Sequence, residues 1–298
     1  MLDPSWLWAV FTLLAAAGQT ARNAMQRELT TTLGTVGATH VRFLFGFPFA
    51  LLFLAGVVFF SGAALPRPNL SYWPWLLVGA LAQIAATALM LAAMGGRSFV
   101  VVVAYIKTEP IQVAIFGLIF LGDAVSLPMM IAIVIATAGV LVMSYKPGGM
   151  IGGIKPTLVG LASGAMFALS AIGYRGAILS LGLPSFVLAA TFTVTVGLLM
   201  QAGLLTLYLA VRDRAVLTAI VRAWRPSLFA GFMGASASEF WFLAFALTSV
   251  ANVRTLALVE VLFAQAISYF IFKQATTTRE AAGMTLIVLG VLLLIWVQ

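Results

Sequence analysis

An all-α polytopic membrane protein, with ten transmembrane helices arranged as two inverted five-helix repeats, is the fold class this sequence predicts, on three observations. Of 298 residues, 63% are hydrophobic and 8% charged, whereas soluble domains carry about 45–50% apolar and about 25% charged residues. So little polar surface means that lipid must be the solvent. Apolar runs of roughly 20 residues, the length that spans a hydrocarbon core about 30 Å thick, follow one another almost end to end. The third observation is a repeat. Glu109 and Gly139 map onto Glu260 and Gly290 at an offset of 151 residues, Gly46 maps onto Gly197 at the same offset, and Arg22 and Arg175 correspond at 153.

Charged, glycine-rich and proline-rich breaks delimit spans near residues 6–25, 37–60, 73–94, 98–121, 128–145, 157–179, 186–211, 226–248, 255–272 and 281–297. The runs are continuous rather than alternating, which excludes a membrane β-barrel. The first run lacks a basic leader and a small-residue cleavage site, so it reads as a span and not a signal peptide. Connections are short apart from Ser61–Tyr72, Lys146–Pro156 and Arg212–Arg225, leaving no room for a soluble domain. The halves divide as residues 1–148 and 149–298. Five spans per half is an odd number, so the second copy enters the membrane in the opposite sense, as in many secondary transporters.

The net charge of +8 is spread between apolar runs instead of forming a stripe, so it reads as a topology signal and not a nucleic-acid surface. Odd-numbered connections hold Arg27, Arg97, Lys146, Lys155, Arg212, Arg214, Arg222, Arg225, Lys273 and Arg279. Arg67 is the unambiguous cation of the even-numbered ones, and Arg175 and Arg254 lie nearer that side. The positive-inside rule then places both termini outside the cytoplasm. With no cysteine and one histidine, the chain can form neither a disulfide, a zinc cage nor a Cys–His pair. Phosphate-loop and HExxH motifs are missing from the sequence. No enzyme activity, cofactor or metal is expected.

Ionisable groups at mid-span are costly, about 2.5–3.5 kcal/mol on insertion scales, and those retained usually face a cavity or a partner. Three glutamates qualify, Glu109, Glu239 and Glu260, with Lys107 the clear mid-span cation. Arg22, His40, Arg42, Arg175 and Arg254 fall closer to span ends, within snorkelling reach of the interface. Pro110 follows Glu109 and should break the fourth span at the midplane, a favoured place for a transporter site. Tyr105 and Gln112 stand beside Glu109 at helical spacing, whereas Lys107 two residues away points elsewhere. Glu260 has no basic residue in helical register, so its partner must come from another helix. The candidate substrate- or proton-binding set is therefore Glu109, Glu260, Glu239, Lys107, Tyr105, Gln112 and Trp241, with Pro110 as the helix break. Trp8, Tyr105, Tyr174 and Trp241 are candidates for stacking on a solute or holding an organic cation. The alternative role for the acidic groups is a structural charge cluster that transports nothing. Gly160-Leu-Ala-Ser-Gly164 predicts close packing of the sixth span within the monomer.

The stretch from Arg97 to Ser144, with Ala104-Tyr-Ile-Lys-Thr-Glu-Pro110, Phe120-Leu-Gly-Asp123 and Gly139-Val-Leu-Val, resembles the second part of an EamA-type repeat. Asn252 to Ile295, ending in Gly283-Met-Thr-Leu-Ile-Val-Leu-Gly290-Val-Leu-Leu-Leu, is similar to it. Phe272-Lys-Gln274 departs from the acidic turn of the first half. The resemblance, to the drug/metabolite transporter superfamily, implies a secondary transporter in a bacterial cytoplasmic membrane. It would export small amino-acid-like or cationic metabolites, with protons as a candidate coupling ion. It also implies cytoplasmic termini, against the charge bias. The partners expected are a small-molecule substrate and the lipid bilayer, not nucleic acid, in a monomer or homodimer. An uncoupled channel or facilitator and a non-transporting scaffold remain open.

Overall fold

The structure is a computed structural model and describes residues 6–96, 105–144, 154–263, 265 and 276–297. The regular elements among them are helical. Helix α1, Leu7–Leu44, is two helical arms that fold back on each other at Gly34, whose φ of 67° and ψ of 176° no other residue adopts comfortably. The connection expected between residues 26 and 36 is this turn, since the Gln26 side chain donates to the Ala38 carbonyl, twelve residues on, at 3.0 Å. The residues before it are helical, and their threonines fold hydroxyls back onto carbonyls, Thr31 onto Glu28 and Thr32 onto Leu29. At Phe45–Gly46 the backbone stays in the right-handed helical region. Helix α2, Phe47–Ser61, restarts with Pro48 in its first turn and ends on left-handed Gly62.

Helix α3 covers Tyr72–Gly96. Helix α4, Glu109–Phe116, continues through a π-helical turn, Gly117–Leu121, and stops at Gly122 with φ 68°. Helices α5 (Leu127–Ser144), α6 (Ile154–Ser180) and α7 (Phe186–Arg212) follow. The Arg212–Arg225 connection carries a short amphipathic helix, α8, Arg214–Arg222. Its N-terminus is capped by Asp213, and it buries Ile220. Helix α9 is Trp224–Leu247. Helix α10, Val250–Leu256, runs on through a 3-10 turn, Ala257–Val259. It starts five residues before the predicted span because Ser249 caps it, accepting the Asn252 amide hydrogen. Helix α11, Thr278–Trp296, opens on a reciprocal capping box between Thr277 and Glu280.

Six of these helices are long and apolar enough to cross a membrane by length and composition, with two shorter apolar helices beside them. Large apolar side chains such as Leu52, Phe59, Phe60, Leu118 and Leu292 are exposed on their outer faces, as lipid-facing positions must be. Residues 97–104, the rest of the ninth predicted span beyond 265, and the Phe272-Lys-Gln274 turn lie outside the described residues.

The strongest helix contacts are α3 with α6, α1 with α9, and α5 with α11; α2 packs on α7, and α4 on α10. Numbered as the predicted spans, these are 3 with 6, 1 with 8, 5 with 10, 2 with 7, and 4 with 9. Exchanging the halves maps the three strongest of these contacts onto themselves, but α7 packs on α9 as closely as on α2 without a comparable α2–α3 contact, and α4 packs more closely on α6 than on α10. Small residues permit the closest approaches. A Cβ on Gly139 would fall 2.7 Å from the Gly283 carbonyl oxygen and 2.8 Å from the Ile287 nitrogen. One on Gly290 would fall 2.6 Å from the Ala136 nitrogen and 2.8 Å from the Ala132 carbonyl oxygen. Such backbone proximity is the packing expected where lipid supplies no hydrophobic drive between helices.

Candidate functional site

Two ion pairs cross between α4 and α10. Residues 107 and 108 form a turn rather than helix, and α4 begins at Glu109 with Pro110 in its first turn. Proline has no amide hydrogen to give the preceding turn, so the chain breaks here as its sequence predicts. Thr108 closes the break by donating its hydroxyl to the Tyr105 carbonyl at 2.7 Å. The turn separates the directions of Lys107 and Glu109. Lys107 forms an ion pair with Glu260, and the Glu109 carboxylate is 3.0 Å from Nε of Arg254. Each helix thus gives one acid and one base, and each acid is held by the opposite helix. All four side chains are about nine-tenths buried.

Together with Gln19 and Arg22 of α1, Met90 of α3, Ile106 and Phe167 of α6, the four charged groups line a cavity of about 30 Å³, room for about one water molecule. Trp241 of α9 forms a wall behind it. Its indole nitrogen donates to the Gln19 side-chain oxygen at 3.1 Å, and the Arg254 guanidinium sits 4.4 Å from its ring centroid. Arg254 thus occupies the cation–π position that sequence reasoning left open for a solute. The indole and the carboxylate hold Arg254 from two sides.

Several expectations from the sequence need correcting. Arg22, Arg42 and Arg254 are buried, not snorkelling, with Arg22 only 1% exposed. Burial follows from both arms of the Gly34 hairpin packing on α9, where a Cβ on Gly234 would lie 3.4 Å from Cδ of Arg22 and 3.5 Å from Cγ of Arg42, and from the early start of α10, which carries Arg254 inside the bundle. His40 is likewise buried, with Nε2 3.0 Å from the Thr206 hydroxyl of α7. Arg175 reaches Asp123 at 3.6 Å and donates to the Phe245 carbonyl at 2.5 Å and to the Thr248 carbonyl. It thereby ties the end of α4 to the end of α9.

Of the other candidates, Tyr105 packs against Gly160, as the glycine spacing in α6 predicts, and Gln112 donates to Thr108 at 3.3 Å. Glu239 accepts the Thr191 hydroxyl of α7 and does not line the cavity. Sequence reasoning gathered Lys107, Glu109 and Glu260 but did not place Gln19, Arg22 or Arg254 with them. Arg22 did carry a signal, its correspondence with Arg175.

A polytopic helical membrane protein with a small, charged cavity between α4 and α10 is the class that this fold and site define. Residues 6–145, a little under half of the chain, match the model of the EamA-like transporter family, which is part of the drug/metabolite transporter superfamily. No curated protein has a matching sequence. The fold is that of a solved protein crystal structure, with a TM-score of 0.72 at 14% identity over 99% of this chain and 96% of the other. The family matched by this segment is one of membrane transporters of small molecules.

Proposed function

We propose that the chain is an alternating-access secondary transporter for a small amino-acid-like solute, working through the cavity between α4 and α10. The crossed pairing of Lys107 with Glu260 and Glu109 with Arg254 carries this reading. Four charges at a helix break, divided equally between the halves, form a junction that opens only if partners part. A proton or a zwitterionic solute can take the place of either partner: a carboxylate can accept from Arg254, and an amine can donate to Glu109.

Two further observations support two inverted five-helix repeats, residues 1–148 and 149–298. The three strongest helix contacts exchange into one another when the halves are swapped. The glycine contacts do too, since an offset of 151 residues turns the Gly139–Gly283 and Gly139–Ile287 contacts into Gly290–Ala132 and Gly290–Ala136. That is a self-complementary two-fold interface within one chain. Such halves can exchange conformations and expose one site to each side in turn.

The outward direction, the bacterial cytoplasmic membrane and the candidate role of protons come from the family resemblance. A purely cationic metabolite is the weaker of the two substrate classes, because both cavity carboxylates are already held by basic groups.

Counterflow tests the proposal. Purified protein is reconstituted in vesicles preloaded with unlabelled amino acids, and entry of the labelled compound is followed. A carrier gives saturable entry accelerated by solute on the far side. A channel gives entry indifferent to it, and a scaffold gives no saturable entry; either result overturns the proposal.

A further inference from the structure

Next to the crossed pairs is a second buried polar cluster, built around Arg42 of α1. Arg42 is 4% exposed and faces a cavity of about 20 Å³ with Gln83, Tyr174, Gln201, Ser238 and Phe242. Its partners are neutral. The Gln83 amide, turned to satisfy both neighbours, accepts from Nη1 and Nη2 at 2.9 and 3.0 Å and donates to Ser170 at 2.6 Å. The Thr87 hydroxyl is 3.2 Å from Nη1, and Nε has no hydrogen-bond partner.

Among the described residues, no carboxylate lies within ion-pair distance of Arg42. Glu109, Glu260 and Asp123 are engaged by Arg254, Lys107 and Arg175. Glu239 is on the same helix as Ser238 but faces Thr191 of α7. Residues 234 and 238 share a face of α9, and residue 239 is turned about 100° from the latter.

A buried cation without counter-charge is unfavourable, and membrane proteins keep one mainly along a solute path. The backbone at Gly234 brings a second cation alongside. A Cβ there would lie 3.4 Å from Cδ of Arg22 and 3.5 Å from Cγ of Arg42. In the adjoining polar interior Glu109 and Glu260 are in use by Arg254 and Lys107, so neither acid serves Arg42.

We infer that Arg42 anchors an anion subsite, and that the transported solute carries net negative charge, as a dicarboxylate or an acidic amino acid does. The inference rests on the transport reading above and narrows its substrate class. One carboxylate of the solute accepts from Nε of Arg42, with the Tyr174 and Ser238 hydroxyls as further donors. The 20 Å³ cavity holds about one water molecule, so the closed form excludes the solute. The anion enters when the halves part.

Matched probes test it on the purified full chain, with binding read by calorimetry. Succinate and L-glutamate should bind at least tenfold more tightly than their uncharged counterparts succinamide and L-glutamine, and putrescine should not bind. Arg42→Gln should weaken succinate at least tenfold, and Arg42→Lys should restore part of the loss. If the neutral probes bind as well as the charged ones, or if Arg42→Gln binds succinate like wild type, the subsite is overturned. The matched pairs on wild type decide the matter even if Arg42→Gln does not fold. Flux separates the two readings. Saturable putrescine or L-leucine counterflow untouched by Arg42→Gln sinks the anion subsite and leaves a transporter. Arg42-dependent succinate binding without saturable flux of any probe keeps the subsite and sinks transport.

Discussion

Among the residues, Glu109 is the one whose replacement separates structure from transport. Glu109→Gln keeps an oxygen for Nε of Arg254, and Trp241 still covers that guanidinium at 4.4 Å. The stability loss should therefore stay below the about 3–5 kcal/mol of breaking a buried ion pair outright, because the oxygen and the indole still face the guanidinium. Coupled flux should nonetheless disappear, since the amide neither binds a proton nor pairs with an amine. Reconstituted Glu109→Gln with wild-type rate and pH dependence would leave only a structural role. Glu260→Gln should behave differently, because Lys107 has no aromatic face beside it in the described contacts. Stranding a buried ammonium costs about 3–5 kcal/mol. The double variant Lys107→Gln/Glu260→Gln should recover most of that. Thermal unfolding in detergent around the four-variant cycle measures the coupling, and additive single losses would deny the pair.

At the scale of helices, Gly139 and Gly283 set how closely α5 and α11 approach. Gly139→Ala puts a methyl group 2.7 Å from the Gly283 carbonyl oxygen, and overpacking of that kind costs about 1–3 kcal/mol. Gly290→Ala should cost a similar amount because it meets the partner-exchanged contacts. Gly203→Ala in α7 meets nothing within 4 Å, and should stabilise by up to about 1 kcal/mol through helix propensity. Melting temperatures of the three variants check the ordering. The break before α4 was legible in the sequence because Pro110 acts locally. So was the offset of 151 residues, which reappears in these glycine contacts. The turn between the first two spans was legible too, and falls at Gly34; that residues 26–33 stay helical up to it was not, because they are polar enough to pass for a loop. Arg254 was misplaced for a related reason: the cap at Ser249 is a weaker sequence signal than the apolar run that follows. The crossed pairing could not be read at all, because it depends on how α4 and α10 meet.

For the whole molecule, orientation is the question on which charge bias and family resemblance disagree. Arg214 and Arg222 are the first and last residues of α8 and Arg212 and Arg225 stand just outside it, and the exposed side chains of Val221 and Trp224 beside them suit a helix lying at a membrane surface. The positive-inside rule puts that cluster in the cytoplasm. Ser61 at the end of α2 then faces outward, since the two positions fall in connections of opposite parity. The chain has no cysteine, so a single introduced thiol reports without interference. Ser61→Cys and Ala215→Cys both replace exposed residues, where neither change disturbs packing. In intact cells an impermeant thiol reagent should modify Ser61→Cys, and Ala215→Cys should react only after permeabilisation. The reverse pattern would put α8 outside and both termini in the cytoplasm. The arginines around α8 would then have to be explained by something other than membrane insertion.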